Sequence, residues 1–359
     1  MKQSKIHSHI AGRHAKPFVA AADSDAYDNL DVLGIGGLDR ISLDAAPVSP
    51  LGTASITPIA QNLQTWMPGF VATVTKAQKI DSILGVTVAG SWADEEVVQK
   101  VLEHTGEAQP YGDDTNIHLT SWNVNFERRS VIRFEDGFRV GRLEEARSSA
   151  IDIDSATEKR GAASMSLDII RNKVGFYGYN DGAGRTYGLL NDPSLPNYVT
   201  VPNGASADNN WSTKTYEEKI ADITSALSGL RNQSGDRIDP TSDSITMAMA
   251  TSVRDTMAVT NGFGNSVNKW LSETYPNVRV ESAPEFDGAN GGENVIYYIA
   301  DSVSDTSTDG GQTICQIVPS RFQVLGSDQH IKGYTEAFTN ALAGVMCKRP
   351  YAVYRQSGV

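Results

Sequence analysis

Along this 359-residue chain the spacing of apolar residues changes several times, and each change marks an element. Residues 93–104 and 116–126 are two apolar-bearing stretches joined by TGEAQPYGDDT, whose Gly, Pro and Asp favour turn conformations. The second stretch alternates at Ile117 and Leu119, then shifts phase to Trp122, Val124 and Phe126, which predicts a bulge. Together they predict a long hairpin with few apolar residues on either leg. A lone two-stranded ribbon is marginal in water, so this one needs a neighbour.

A strand at 131–134 follows, and then helical spacing. Leu143, Ala146, Ala150 and Ile153 recur on one stripe, and beyond Gly161 it resumes at Ala163, Leu167, Ile170 and Val174. The spacing predicts one helix over 142–178, about 55 Å long at 1.5 Å per residue. Its other face carries Glu144, Glu145, Arg147, Asp152, Asp154, Glu158, Lys159 and Arg160. Such a helix is a strut laid across a sheet.

The Gly/Pro/Asn-rich run YGYNDGAGRTYGLLNDPSLPN ends the helix. Tyr216, Ile220, Ile223, Leu227 and Leu230 then predict a helix over 216–230, capped by Thr213 or Thr215. A strand at 245–250, helices at 252–259 and 266–274 and a buried strand at 294–300 make an α/β module. From 313 to 354, apolar strands are separated by Gly326, Gly333 and Gly344, and KRPYAVYRQSGV ties the C-terminus into the body. Residues 1–60 are different. Gly34, Gly36 and Gly37 interrupt their apolar residues, and Pro47, Pro50 and Pro58 break any helix. They predict an extended arm that gains order by lying on something else. No internal repeat is present.

Composition narrows the function. With 40% apolar and 21% charged residues the chain can bury one large core or two smaller ones and is not disordered by composition. No run of some 18 apolar residues would span a membrane. The opening MKQSKIHSHIAGRHAKPF lacks the apolar stretch of a signal peptide, so the protein is expected to stay in the compartment where it is made. Cys315 and Cys347, in apolar surroundings, are expected to be buried thiols, too few for a disulfide framework or zinc cluster. A formal net charge of −12 repels nucleic acid on average. Only the first residues are basic, with Lys2, Lys5, Arg13 and Lys16 preceding the first acid, Asp23. They form a solvated terminus or touch an acidic partner.

Catalytic patterns are missing. There is no phosphate-binding G-x-x-x-x-G-K-[ST], no G-x-S-x-G, no H-E-x-x-H and no C-x-x-C. GIGGLD at 34–39 fails the dinucleotide spacing. His7, His9 and His14 read as solvated. Asp152 and Asp154 would point apart on a helix. Asp113 and Asp114 sit in a turn, where Asp is common for backbone reasons. No catalytic residue, cofactor or metal site is expected, and the chain does not read as an enzyme.

Four stretches, in order, carry a resemblance: HTGEAQPYGDD at 104–114, FEDGFRVGRLEEARSSAIDID at 134–154, YGLLNDPSLP at 187–196 and the terminal CKRPYAVYRQSGV. Over roughly 65–359 the chain resembles the major capsid proteins of tailed bacteriophages, the Hong Kong 97-type fold, in their encapsulin-like branch. The resemblance implies an α+β fold with an N-terminal arm (1–65) reaching under a neighbour and a lead-in to the peripheral domain (66–90). It further implies an extended hairpin loop (91–126) lying over the adjacent subunit. A peripheral domain (127–186) with the spine helix 142–178, an axial domain (187–312) and peripheral return strands (313–359) complete it.

The implied assembly is a homo-oligomeric shell of pentamers and hexamers, put together in the host cytoplasm and resident in the virion. It encloses double-stranded DNA without sequence-specific binding and has no membrane contact. Scaffolding, portal and decoration proteins are the further partners, and no covalent cross-link is expected. Inter-subunit contacts would fall on Lys2, Lys5 and Arg13 of the arm and on Gly106, Pro110, Tyr111, Asp113, Asp114 and Trp122 of the hairpin. Gly188, Leu189, Leu190 and Asn191, at the start of the axial domain, complete the set. Two other readings compete: an encapsulin nanocompartment shell, against which the long arm weighs, and a soluble α/β hydrolase, against which the missing nucleophile motif weighs.

Overall fold

A computed structural model describes residues 78–113, 117–149, 154–182 and 184–359. The expectations for the arm, including Lys2, Lys5 and Arg13, and for Asp114 lie outside them.

The largest core surrounds a five-stranded sheet. Its strands are β5 (Val199–Thr200), β6 (Ile245–Ala250), β7 (Val278–Ala283), β8 (Val295–Ala300) and β13 (Val353–Ser357), ordered β5-β13-β8-β6-β7. ITMAMA and VIYYIA are buried at every position because both sheet faces are covered. On one face Tyr298 packs edge-on to Tyr354 and its hydroxyl donates to Gln356. On the other, Tyr297 packs on Phe286, which meets Phe176 edge-on at 5.5 Å.

The helix α4 (Tyr216–Gln233) contributes Ile223, Ala226, Leu227 and Leu230 to this core. Thr215 is its cap, in a full capping box with Glu218. Two shorter helices follow, α5 (Thr251–Thr256) and α6 (Val267–Thr274), the latter capped by Ser266.

A second body is built on the sheet β10 (Ser320–His330), β11 (Gly333–Leu342) and β4 (Ile132–Gly141). Across it lies α3 (Ser155–Tyr177), whose Ala163 and Leu167 pack on Phe138, Val140 and Phe338. A small sheet, β1 (Val86–Thr87), β9 (Ile314–Ile317) and β12 (Gly344–Cys347), and the short helix α1 (Ile80–Leu84) complete this part. Cys315 and Cys347 are buried, as expected, and belong to different apolar clusters.

Three expectations change. The 142–178 strut is not one element: α2 (Arg142–Ser149) and α3 are separate, with residues 150–153 outside the description. Asp154 takes an extended backbone, and its carboxylate accepts from the amides of Ala156 and Thr157. An N-cap aspartate satisfies the orphan amides of a new helix rather than prolonging an old one. α2 itself buries no residue, and its Glu144 is tied to the start of α3 by Ser155 and Lys159. The strut is thus 23 residues, about 34 Å.

The bulge is also absent. β2 (Glu96–Thr105) and β3 (Ser121–Ser130) pair in unbroken register, from Glu96 opposite Ser130 to Thr105 opposite Ser121. Ile117 and Leu119 lie before the ladder begins, so their phase shift marks the end of a strand. The last strand differs too. Residues 313–359 were expected to return to one sheet, yet β13 enters the five-stranded sheet between β5 and β8. There the Arg355 guanidinium sits 4.1 Å from the centre of the Tyr198 ring.

Within this core the Lys214 ammonium and the Trp211 indole both donate to Asp222 Oδ2, at 2.7 and 3.0 Å. Lys214 also donates to the Pro202 carbonyl at 2.7 Å. Both charged side chains are buried. Removing one partner of a buried pair leaves the other charge uncompensated. Asp222→Ala is expected to cost about 3–5 kcal/mol, read as a lower urea midpoint at unchanged slope.

Candidate assembly surface

Antiparallel pairing fixes which side chains share a face of the β2–β3 ribbon. Val98, Lys100, Leu102 and His104 stand opposite Arg128, Phe126, Val124 and Trp122 on one face. Gln99, Val101 and Glu103 stand opposite Glu127, Asn125 and Asn123 on the other. The first face is apolar and cationic, and beyond Glu96 it carries no carboxylate. It is open to solvent: Leu102 and Trp122 are each 62% exposed and Phe126 is 48% exposed. Large exposed apolar patches are where proteins commonly meet other molecules, which makes this face the candidate.

Of the expected contact residues, Trp122 lies on this face. Gly106 begins the tip at φ +154°, and a Cβ there would meet Thr120 at 2.5 Å, so the strands close on a glycine. Pro110, Tyr111 and Asp113 are exposed in the tip. A hydrogen bond to Asp113 holds the Tyr111 phenol above its ordinary pKa.

Gly188, Leu189, Leu190 and Asn191 behave otherwise. Leu189 is fully buried, and the amides of Leu189 and Leu190 donate to the carbonyls of Gly175 and Phe176 at the end of α3. Asn191 accepts from the Gly188 amide at 2.7 Å and donates to the Tyr177 carbonyl at 2.8 Å. These four residues form a turn bonded within the subunit, with Gly188 and Leu189 buried and Leu190 and Asn191 half-buried. They carry the chain to Asp192.

Asp192 is what the sequence reading missed, together with Arg129. The Arg129 side chain is buried at the ribbon base. Its Nη2 donates to Asp192 Oδ2 and its Nε to the Val345 carbonyl, both at 3.0 Å. Nη1 donates to Glu127 and to the Arg128 carbonyl, and the guanidinium lies 5.0 Å from the centre of the Tyr187 ring. From β4, Arg133 donates to the carbonyls of Trp92 and Asp94, just before β2. The run ERRS holds three adjacent charged residues, and no periodicity singles out Arg129.

A groove of about 370 Å³ separates Lys100 and His104 of β2 from the loop 305–309. Arg349 fills the centre of that loop. It donates from Nε to Asp305 at 2.8 Å, from Nη2 to Asp309 at 2.8 Å and from Nη1 to the Gln312 carbonyl at 2.6 Å. The guanidinium holds the Asp305 carboxyl down at about 2 and that of Asp309 lower still. Among the described residues no three His, Cys, Asp or Glu side chains gather to hold a metal. No helix among them is long and apolar enough to cross a membrane.

The model of the Pa193 gp26 major capsid protein family matches residues 50–358. The chain belongs to this family. No curated protein matches it. Among solved structures, the capsid of Myoviridae phage XM1 is 17% identical, with a TM-score of 0.66 over 84% of this chain and 98% of that one. The capsid of a native GTA particle is 10% identical, with a TM-score of 0.59 over 86% and 99%. The capsid of cyanophage P-SCSP1u is 10% identical, with a TM-score of 0.54 over 86% and 95%. The fold is the α+β Hong Kong 97-type fold of tailed-phage capsids. Neither the encapsulin nor the hydrolase reading is favoured.

This capsid protein is therefore a shell subunit, and its chemistry is to be sought in surfaces such as the ribbon and the Arg349 loop beside it. Carboxyls held below their ordinary value, near 4, contribute stability above that pH and lose it as pH falls toward the folded-state value. Arg349→Met is expected to lower the melting temperature at neutral pH. Its deficit against the unaltered protein should shrink as pH drops from about 4 to about 2. A deficit constant across that range would refute the assignment.

Proposed function

We propose that the chain is the repeating subunit of an icosahedral phage head, arranged in pentamers and hexamers around double-stranded DNA. The ribbon lies with its Leu102, Trp122, Val124 and Phe126 face across an adjacent copy. The body formed by α3 and the β10-β11-β4 sheet acts as the peripheral domain, and the five-stranded module acts as the axial domain. The observation that carries this reading is that apolar face, left open on a chain whose family builds shells.

Burying one Leu or Phe contributes about 1.5–3 kcal/mol. One contact is therefore modest, but every subunit gives and receives one, so the engagements reinforce each other around a closed shell. The net charge of −12 suits a wall that packed DNA does not adhere to. Scaffolding, portal and decoration proteins are the expected further partners, and assembly takes place in the host cytoplasm.

The test is Leu102→Asp combined with Phe126→Asp. Both sites are exposed in the subunit, so its unfolding free energy should stay within about 0.5 kcal/mol of the unaltered protein. Sedimentation velocity and electron microscopy should find capsomers or monomers in place of shells. Shells at unchanged yield would overturn the reading.

A further inference from the structure

We propose that Arg129 is the positioning residue that aims the ribbon at the neighbouring copy. This rests on the reading of the ribbon as an inter-subunit surface and names what sets its direction. Ten residues of strand at about 3.4 Å each make a lever of about 34 Å. A tilt of about 10° at the base moves its end by about 6 Å, more than the 4.7–4.9 Å between paired strands. A tilted ribbon misses its register on the partner, so the base must be stiff.

Arg129 is built for that task. Two of its partners, Glu127 and the Arg128 carbonyl, belong to the ribbon, while Asp192, the Val345 carbonyl and the Tyr187 ring belong to the body. The planar fork therefore spans the hinge, and a bend there breaks several hydrogen bonds together. The receiving carboxylate is itself fixed. Asp192 Oδ1 accepts from the Ser194 amide at 2.9 Å and Oδ2 from the Cys347 amide at 3.2 Å. One residue along, the Thr186 hydroxyl donates to the Ser130 carbonyl at 2.8 Å. Farther out, at Lys100 and beyond, every residue of both strands is solvent-exposed, so the base alone sets the angle.

The experiment is a distance measurement by double electron–electron resonance on the full, unassembled chain. Spin labels are placed by Glu107→Cys at the tip and Thr241→Cys on the body; Cys315 and Cys347 are buried and remain unlabelled. Arg129→Met is expected to at least double the width of the distance distribution and to give particles of mixed diameter on assembly. Glu127→Ala, half-exposed and unable to unfold the core, should broaden it in the same sense by less. Lys214→Met, which breaks a buried ion pair sharing no partner with Arg129, should lower stability and leave the distribution unchanged.

Distributions for Arg129→Met and Glu127→Ala that overlay the unaltered one would reduce Arg129 to a structural ion pair and end the proposal. Failure of the parent reading would look different: a broadened ribbon in the Arg129 variant, yet unimpaired shells in the Leu102/Phe126 variant.

Discussion

A two-stranded ribbon has two faces and nothing of its own to cover them, and that constraint organises the rest of this chain. The β10-β11-β4 sheet lies under α3, and the five-stranded sheet is covered on both sides. The β2–β3 ribbon carries Leu102, Val124, Phe126 and Trp122 on one face without any cover. Hydrophobic burial is roughly proportional to the apolar area removed from water, so that face remains an undischarged driving force in the single subunit. On the proposed reading a second copy discharges it, which would make assembly the completion of folding.

The remaining elements keep the ribbon's aim and its foundation firm. Arg129 clamps its base to the turn at 186–192 and to β12, and Arg133 of β4 holds the segment 92–94 that leads into it. That turn closes onto the end of α3, so the strut helix and the hinge share a foundation. Beside the ribbon, Arg349 gathers Asp305 and Asp309 and fastens their loop to the segment between β12 and β13. The burial that stabilises the subunit sits largely in the five-stranded module, so the ribbon is free to stay polar on one face and adhesive on the other.

Much of this was legible in the residues. The turn chemistry of TGEAQPYGDDT located the hairpin, the stripe from Tyr216 to Leu230 located α4, and the unbroken apolar runs located β6 and β8. What escaped was decided by side-chain geometry. Asp154 reads equally well as one more acid on a helix face or as a cap, and only the backbone at that residue separates the two. The Gly188–Asn191 stretch was expected as a contact from the family resemblance alone, and no residue pattern shows that the Leu189 and Leu190 amides bond the carbonyls of Gly175 and Phe176. β13 was placed in the wrong sheet because five residues cannot declare which strand they will pair with. Arg129 was hidden among charged neighbours, since burial of a single arginine leaves no periodic trace.

If shells form as proposed, the ribbon's apolar face is open in the subunit and closed between copies. Amide hydrogen exchange over 96–105 and 121–130, compared between unassembled protein and assembled shells, tests it most directly. Fast exchange is expected in the unassembled subunit, where an isolated ribbon is marginal, and strong protection in the shell. Equal exchange in the two states would contradict it.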